Sequence, residues 1–159
     1  MTEQLRASLT NERMQRLYDY WASRRRDDGR PPRREDIEPG DVPDLLPYVF
    51  LVDIEEAPRR YRYRLAGSEV VACFGVDMTG LTIDELDLGE KTEQIRRLYD
   101  ETAASGEPHY DRYEFWTASY QQHLNYERLL LPLSSNGERI DKLLGCAFAL
   151  PVPAARSSA

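Results

Sequence analysis

The sequence predicts an α+β domain: a five-stranded antiparallel sheet with helices on one face and a further helix at the N-terminus. Three observations lead there. Residues 126–150 read as two long strands joined at Asn136-Gly137, a dipeptide that tolerates the positive φ angles of a tight hairpin turn. The second of these strands, 139–150, is apolar on both faces. Ile140, Leu144, Cys146, Phe148 and Leu150 point one way, and Leu143, Gly145, Ala147 and Ala149 the other, as expected of a strand near the middle of a sheet with something packed above and below. Finally, the helical patterns of the body fall in one insertion between two early strands and three late ones, so the strands connect as hairpins.

In chain order, the first helix covers 11–26 with Thr10 as its N-cap. Met14, Leu17, Tyr18 and Trp21 recur at i, i+3, i+4 and i+7 and form one apolar stripe. Arg24, Arg25 and Arg26 suit the negative end of the helix dipole. Residues 27–34 form a polar arm in which Pro31 and Pro32 prevent further helix. That tether leaves the helix to pack on its own sheet or on a second copy, so Met14, Leu17, Tyr18 and Trp21 are the candidate dimer or partner residues. The chain divides into helix and arm (1–39), body (40–150) and a loose tail (151–159).

The body opens with a helical turn at 41–47, capped by Asp41 and ended by Pro47. The β-branched and aromatic run 48–54 is strand one. Residues 60–65 alternate, with Tyr61, Tyr63 and Leu65 facing in and Arg60, Arg62 and Arg64 facing out. These two strands make a hairpin. A short helix runs to Phe74 and closes at Gly75; a turn at 77–80 and a helical turn at 82–86 follow. A longer helix at 90–105 presents Ile95, Leu98, Tyr99 and Thr102 inward and ends at Gly106. Strand three is 110–117.

Composition limits the function. The chain has 159 residues, enough for one domain with a sizeable core. With 41% hydrophobic and 31% charged residues it reads as folded. A net charge of −7 argues against general binding to nucleic acid or anionic membrane. No secretory leader or bilayer-length apolar run is visible, and two cysteines in apolar contexts read as reduced thiols, so a cytoplasmic protein is expected.

The element order and its joints resemble the PAS domain superfamily, and in particular the stand-alone PAS-like proteins common in alphaproteobacteria. The residues that carry the resemblance are 36–47, Tyr61-Arg62-Tyr63-Arg64-Leu65-Ala66-Gly67, Phe74-Gly75-Val76-Asp77-Met78-Thr79-Gly80, and Tyr126 to Leu133 with the Asn136-Gly137 turn. The resemblance implies the strand order 2-1-5-4-3, and it implies sensing or scaffolding in signalling rather than a reaction. The body reads as a complete domain with no attached output segment, so a signal is expected to leave through protein association, as a homodimer or with a signalling partner.

No residue pattern calls for a cofactor or a metal. No expected helix contains His109 or His123, which read as surface or strand histidines, whereas haem-binding PAS domains take their histidine from a helix. Cys73 lacks the asparagine-cysteine-arginine-phenylalanine setting of flavin-photoadduct cysteines and reads as a packed thiol. Arg24 to Arg34 read as a solvated helix end and linker, with docking of an acidic partner or a nucleotide as the other reading. Arg128 is the candidate binding residue: a cation on an apolar strand, facing with Tyr126 and Leu130 into the space between sheet and helices. It needs an anion, from a ligand or from an internal carboxylate such as Asp77 or Glu69. Tyr63, Phe74, Phe115, Tyr126 and Phe148 are the expected aromatic walls of a small-ligand site. The alternative function is a small α+β enzyme of the ketosteroid-isomerase type, which needs Asp or Glu on the inward face of strands three to five.

Overall fold

The computed structural model describes residues 2–86, 88–117 and 122–151. All of the expected tail, 151–159, except Pro151 lies outside them. Five strands form one antiparallel sheet: β1 (Val49–Glu55), β2 (Arg60–Ala66), β3 (His109–Thr117), β4 (Gln122–Leu133) and β5 (Lys142–Ala149), in the order β2-β1-β5-β4-β3. The last strand made is therefore the central one, paired with β1 on one side and β4 on the other. Its two apolar faces supply two separate cores.

One core lies between the sheet and the insertion that carries α3 (Ser68–Phe74) and α4 (Lys91–Ser105). Tyr61, Tyr63, Phe74, Ile95, Tyr99, Tyr126, Leu143 and Ala147 are buried there. Both helices end on a left-handed glycine, Gly75 at φ 79° and Gly106 at φ 68°, the conformation a side chain resists. Ile140 also packs on this core, although alternation places it with Leu144. It precedes Lys142, where β5 begins, and so does not follow the pleat.

The other core is roofed by α2 (Glu12–Ser23), which follows a short helix, α1 (Thr2–Ser8), that the sequence pattern does not single out. Asn11 rather than Thr10 caps α2, accepting a bond from the Met14 amide at 3.1 Å. The helix ends at Ser23, so Arg25 and Arg26 lie beyond it. Met14, Leu17, Tyr18 and Trp21 all face the chain's own sheet, among Leu129, Leu131, Leu133, Leu144 and Phe148. Met14 and Trp21 are 0% exposed, and Trp21 Nε1 donates to the Pro132 carbonyl at 2.9 Å. This corrects the expectation of these four as dimer or partner residues. A helix tethered beside an apolar sheet face buries its stripe there without the association entropy a second copy would cost.

Two further departures concern the pleat. Leu65 was expected inward with Tyr63. A register shift between Leu51 and Val52 sets Leu51 opposite Leu65 and Val52 opposite Tyr63, which turns Leu65 to the α2 side, 41% exposed. The β4–β5 connection spans 134–141 rather than two residues. Asn136 Oδ1 accepts from the Glu138 and Arg139 amides at 2.9 and 3.0 Å, and Gly137 takes φ 81°. The outer edge of β2 is covered by the segment 80–83, through bonds that include Tyr63 N to Leu81 O at 2.9 Å, which protects an otherwise open strand edge.

Candidate functional site

Arg128 sits on β4 directly across from Asp111 on β3. Its Nε donates to Asp111 Oδ1 at 3.1 Å and its Nη2 to Oδ2 at 2.8 Å, a bidentate pair. The arginine side chain is 2% exposed and the aspartate 22%, so the pair runs from the interior toward the rim of β3. The partner is therefore not Asp77, which accepts from the Thr79 amide in its own turn, nor Glu69, which is exposed on α3. A cross-strand neighbour reaches the guanidinium without crossing the core; a carboxylate on the helical insertion would have to be desolvated alone.

Three rings enclose the guanidinium. Its carbon lies 4.6 Å from the Tyr113 ring centroid, 5.4 Å from that of Tyr99 and 5.9 Å from that of Tyr126. Tyr113 and Tyr126 are stacked, with centroids 5.8 Å apart and planes 14° from parallel. Phe74 meets Tyr126 edge-on at 4.7 Å, and the Tyr63 and Tyr99 hydroxyls share a bond of 2.7 Å. Arg128, Tyr63, Phe74 and Tyr126 are thus brought together as expected.

Phe148 is not with them. Its position on β5 faces α2, where it stacks on Tyr48 at 4.7 Å, and this corrects its placement among the aromatic walls: it shares a face with Leu144 and Cys146, not with Leu143. The Phe115 side chain lies outside the described residues. Asp111, Tyr99 and Tyr113 were not in the expected set. Tyr99 was legible as a buried position of α4, and Asp111 and Tyr113 as same-face neighbours on β3. Their meeting at Arg128 depends on the β3–β4 register.

The electrostatics keep this cluster in one protonation state near neutrality. Burial pulls Arg128 down, but Tyr126, Tyr99 and Asp111 pull harder the other way and leave it well above its ordinary value. Burial pushes Tyr126 above its usual range, with Arg128 opposing. Tyr63 is raised by burial and then by Tyr99. The result is a fixed cation among neutral phenols. One polar atom there is left over: among the described residues, the buried Tyr126 hydroxyl has no hydrogen-bond partner.

The other candidates are more ordinary. Cys73 is partly buried on α3, and burial pushes its thiol up to about 11, so it is a thiol near neutrality. His109 and His123 lie on β3 and β4; His123 Nε2 is 3.4 Å from Glu114. Of the arginines at 24–34, Arg24 pairs with Asp41, Arg25 with Glu107, Arg30 with Asp28 and Arg33 with Glu35. Among the described residues no group of His, Cys, Asp and Glu is arranged to hold a metal ion, and no helix is long and apolar enough to cross a membrane. On the helix-facing side of β3 to β5, Asp111 is the carboxylate that an isomerase-type site would use, and both its oxygens are engaged by Arg128.

With the central last strand and the covering α3 and α4 in view, residues 9–148 of the chain match a family model described as PAS domain. The chain belongs to the PAS domain family. The solved structures similar to this PAS domain agree in fold. One is the light-oxygen-voltage protein of Rhodobacter sphaeroides, at 16% identity, covering 74% of this chain and 71% of that one with a TM-score of 0.54. Another is the PAS domain of Bordetella pertussis BvgS, at 16% identity, 72% and 85% coverage and a TM-score of 0.51. No curated protein matches in sequence. Identities this low carry the fold across, not the activity.

Proposed function

We propose that this PAS domain is a non-catalytic sensory or adaptor module of signalling: it binds a small ligand between the sheet and α3/α4 and passes the signal on through protein association, including self-association. The observation that carries the reading is the buried Arg128 guanidinium beside a buried Tyr126 hydroxyl that has no partner. A hydroxyl left unbonded in an interior costs about 1–3 kcal/mol, and a small molecule with one hydrogen-bonding group removes that cost on entering. Asp111, less buried than the arginine it holds, sits where a ligand anion would displace it. An interior exchange of that kind moves β3, at the end of the sheet, and Trp116 on β3 is 60% exposed, which supports contact with another protein there.

Native mass spectrometry of the purified protein tests ligand and association together. The expected result is a small-molecule adduct that is lost in Arg128→Met, with a dimer or partner-bound species alongside. An adduct-free monomer that stays so in cell extract contradicts the proposal.

A further inference from the structure

On the face of the sheet away from Arg128 lies an opening unrelated to that cluster. Between α2, the single-turn helical segments at 34–48 and the β1–β2 hairpin is a cavity of about 60 Å3, lined almost wholly by apolar side chains, among them Leu17, Val42, Leu51, Leu65 and Leu144. It owes its mouth to the bulge described above: Leu65, turned across the sheet, is 41% exposed, and Leu46 beside it is 40% exposed. Gly67 fixes the approach of the Leu46 segment, since a Cβ there would fall 2.3 Å from the Leu46 carbonyl oxygen. Arg34 is the single charged residue of the lining. It is half-buried, it donates to the Ile37 carbonyl at 3.0 Å, and no carboxylate lies within 4 Å of it among the described residues.

We propose that this groove binds a short aliphatic carboxylate, with the chain in the slot between Leu51, Leu65 and Leu144 and the head group on Arg34. Size and charge select this ligand together. A volume of 60 Å3 holds about four water-sized spheres, which admits one unbranched chain of about four to six carbons and not a helix. An apolar slot with one oriented cation is the usual design for an amphiphile whose polar end is an anion, and a guanidinium binds a carboxylate through two parallel bonds. An alcohol of the same length fills the slot but cannot form the two-bond, charge-assisted pair with Arg34, and a protonated amine is repelled by it.

Hexanoate is the probe, titrated into the isotopically labelled full chain and followed by amide chemical shifts. Saturable binding is expected, with shifts centred on Val42, Leu51 and Leu65. Arg34→Gln, at a half-buried site that leaves the fold intact, should weaken hexanoate by roughly five- to tenfold and leave hexan-1-ol unchanged. Leu65→Asp, at an exposed position, should abolish hexanoate binding. The proposal is overturned if hexanoate fails to saturate at millimolar concentration, if Arg34→Gln binds it equally well, or if a leucine-ended peptide binds in its place much more tightly. Shifts centred instead on Tyr63, Tyr99 and Arg128 also overturn it. Those amides report the ligand site on the other face, so failure here leaves the proposed function standing, and the reverse.

Discussion

The α2 side of the sheet is mainly aliphatic, with Trp21 as its largest buried side chain and one buried carboxylate, Glu127, that accepts from the Tyr110 hydroxyl; the α3/α4 side gathers rings around the Arg128–Asp111 ion pair. Both bury most of their apolar surface, yet they fail differently. On the aliphatic side a lost side chain costs its transfer energy and the hole it leaves. On the ringed side the dominant hazard is a charge or dipole without its partner. A face that holds a cation ready among neutral hydroxyls is suited to recognising a small molecule, whereas the α2 face chiefly holds the N-terminal segment to the sheet.

The largest expected effect breaks the aliphatic side. Trp21→Ala removes a fully buried indole and orphans the Pro132 carbonyl, and should lower stability by about 4–5 kcal/mol in urea unfolding. Asp111→Ala comes next. It leaves the Arg128 guanidinium buried without its carboxylate, for a loss of about 3 kcal/mol, less than a fully buried pair because Asp111 reaches the rim. The third has the opposite sign: Tyr126→Phe deletes the unpartnered hydroxyl and should stabilise the ligand-free protein by about 1 kcal/mol, while weakening any ligand that bonds there.

The smallest effect is a pH dependence. Asp53 is 9% exposed and accepts from Arg64 and Lys142, each at 2.7 Å. Burial pushes its carboxyl up, but the bonds from Lys142 and Arg64 prevail and hold it below the ordinary value. A carboxylate lowered in the folded state contributes stability above its unfolded value, about 3.9. That contribution is lost as the pH falls through the folded value. Asp53→Asn should therefore flatten the acid limb of the stability curve, and lower the neutral-to-alkaline part by a constant amount without changing its slope.

The elements were legible where one periodicity ruled a whole segment. Met14, Leu17, Tyr18 and Trp21 marked α2, and the double-faced run after Lys142 marked the central strand. The strand order rested on the family resemblance, and the pairing confirms it. What escaped was set by relations between segments. Leu65 fits its strand's alternation, and only the shift opposite Leu51 turns it over. Phe148 was an aromatic on the right strand, yet one residue of pleat separates its face from that of Ala147. Asp111 became the partner of Arg128 through a cross-strand register that neither strand's own sequence contains.

A double-mutant cycle on Arg128 and Asp111 tests the central claim most directly, namely that the ringed face is organised by a buried ion pair. Arg128→Met and Asp111→Leu are measured singly and together by urea unfolding. The account predicts that each single change costs about 2–4 kcal/mol, while the double variant is more stable than Asp111→Leu alone, a coupling of about 2 kcal/mol or more. Two single costs that simply add, to within about 0.5 kcal/mol, would contradict it.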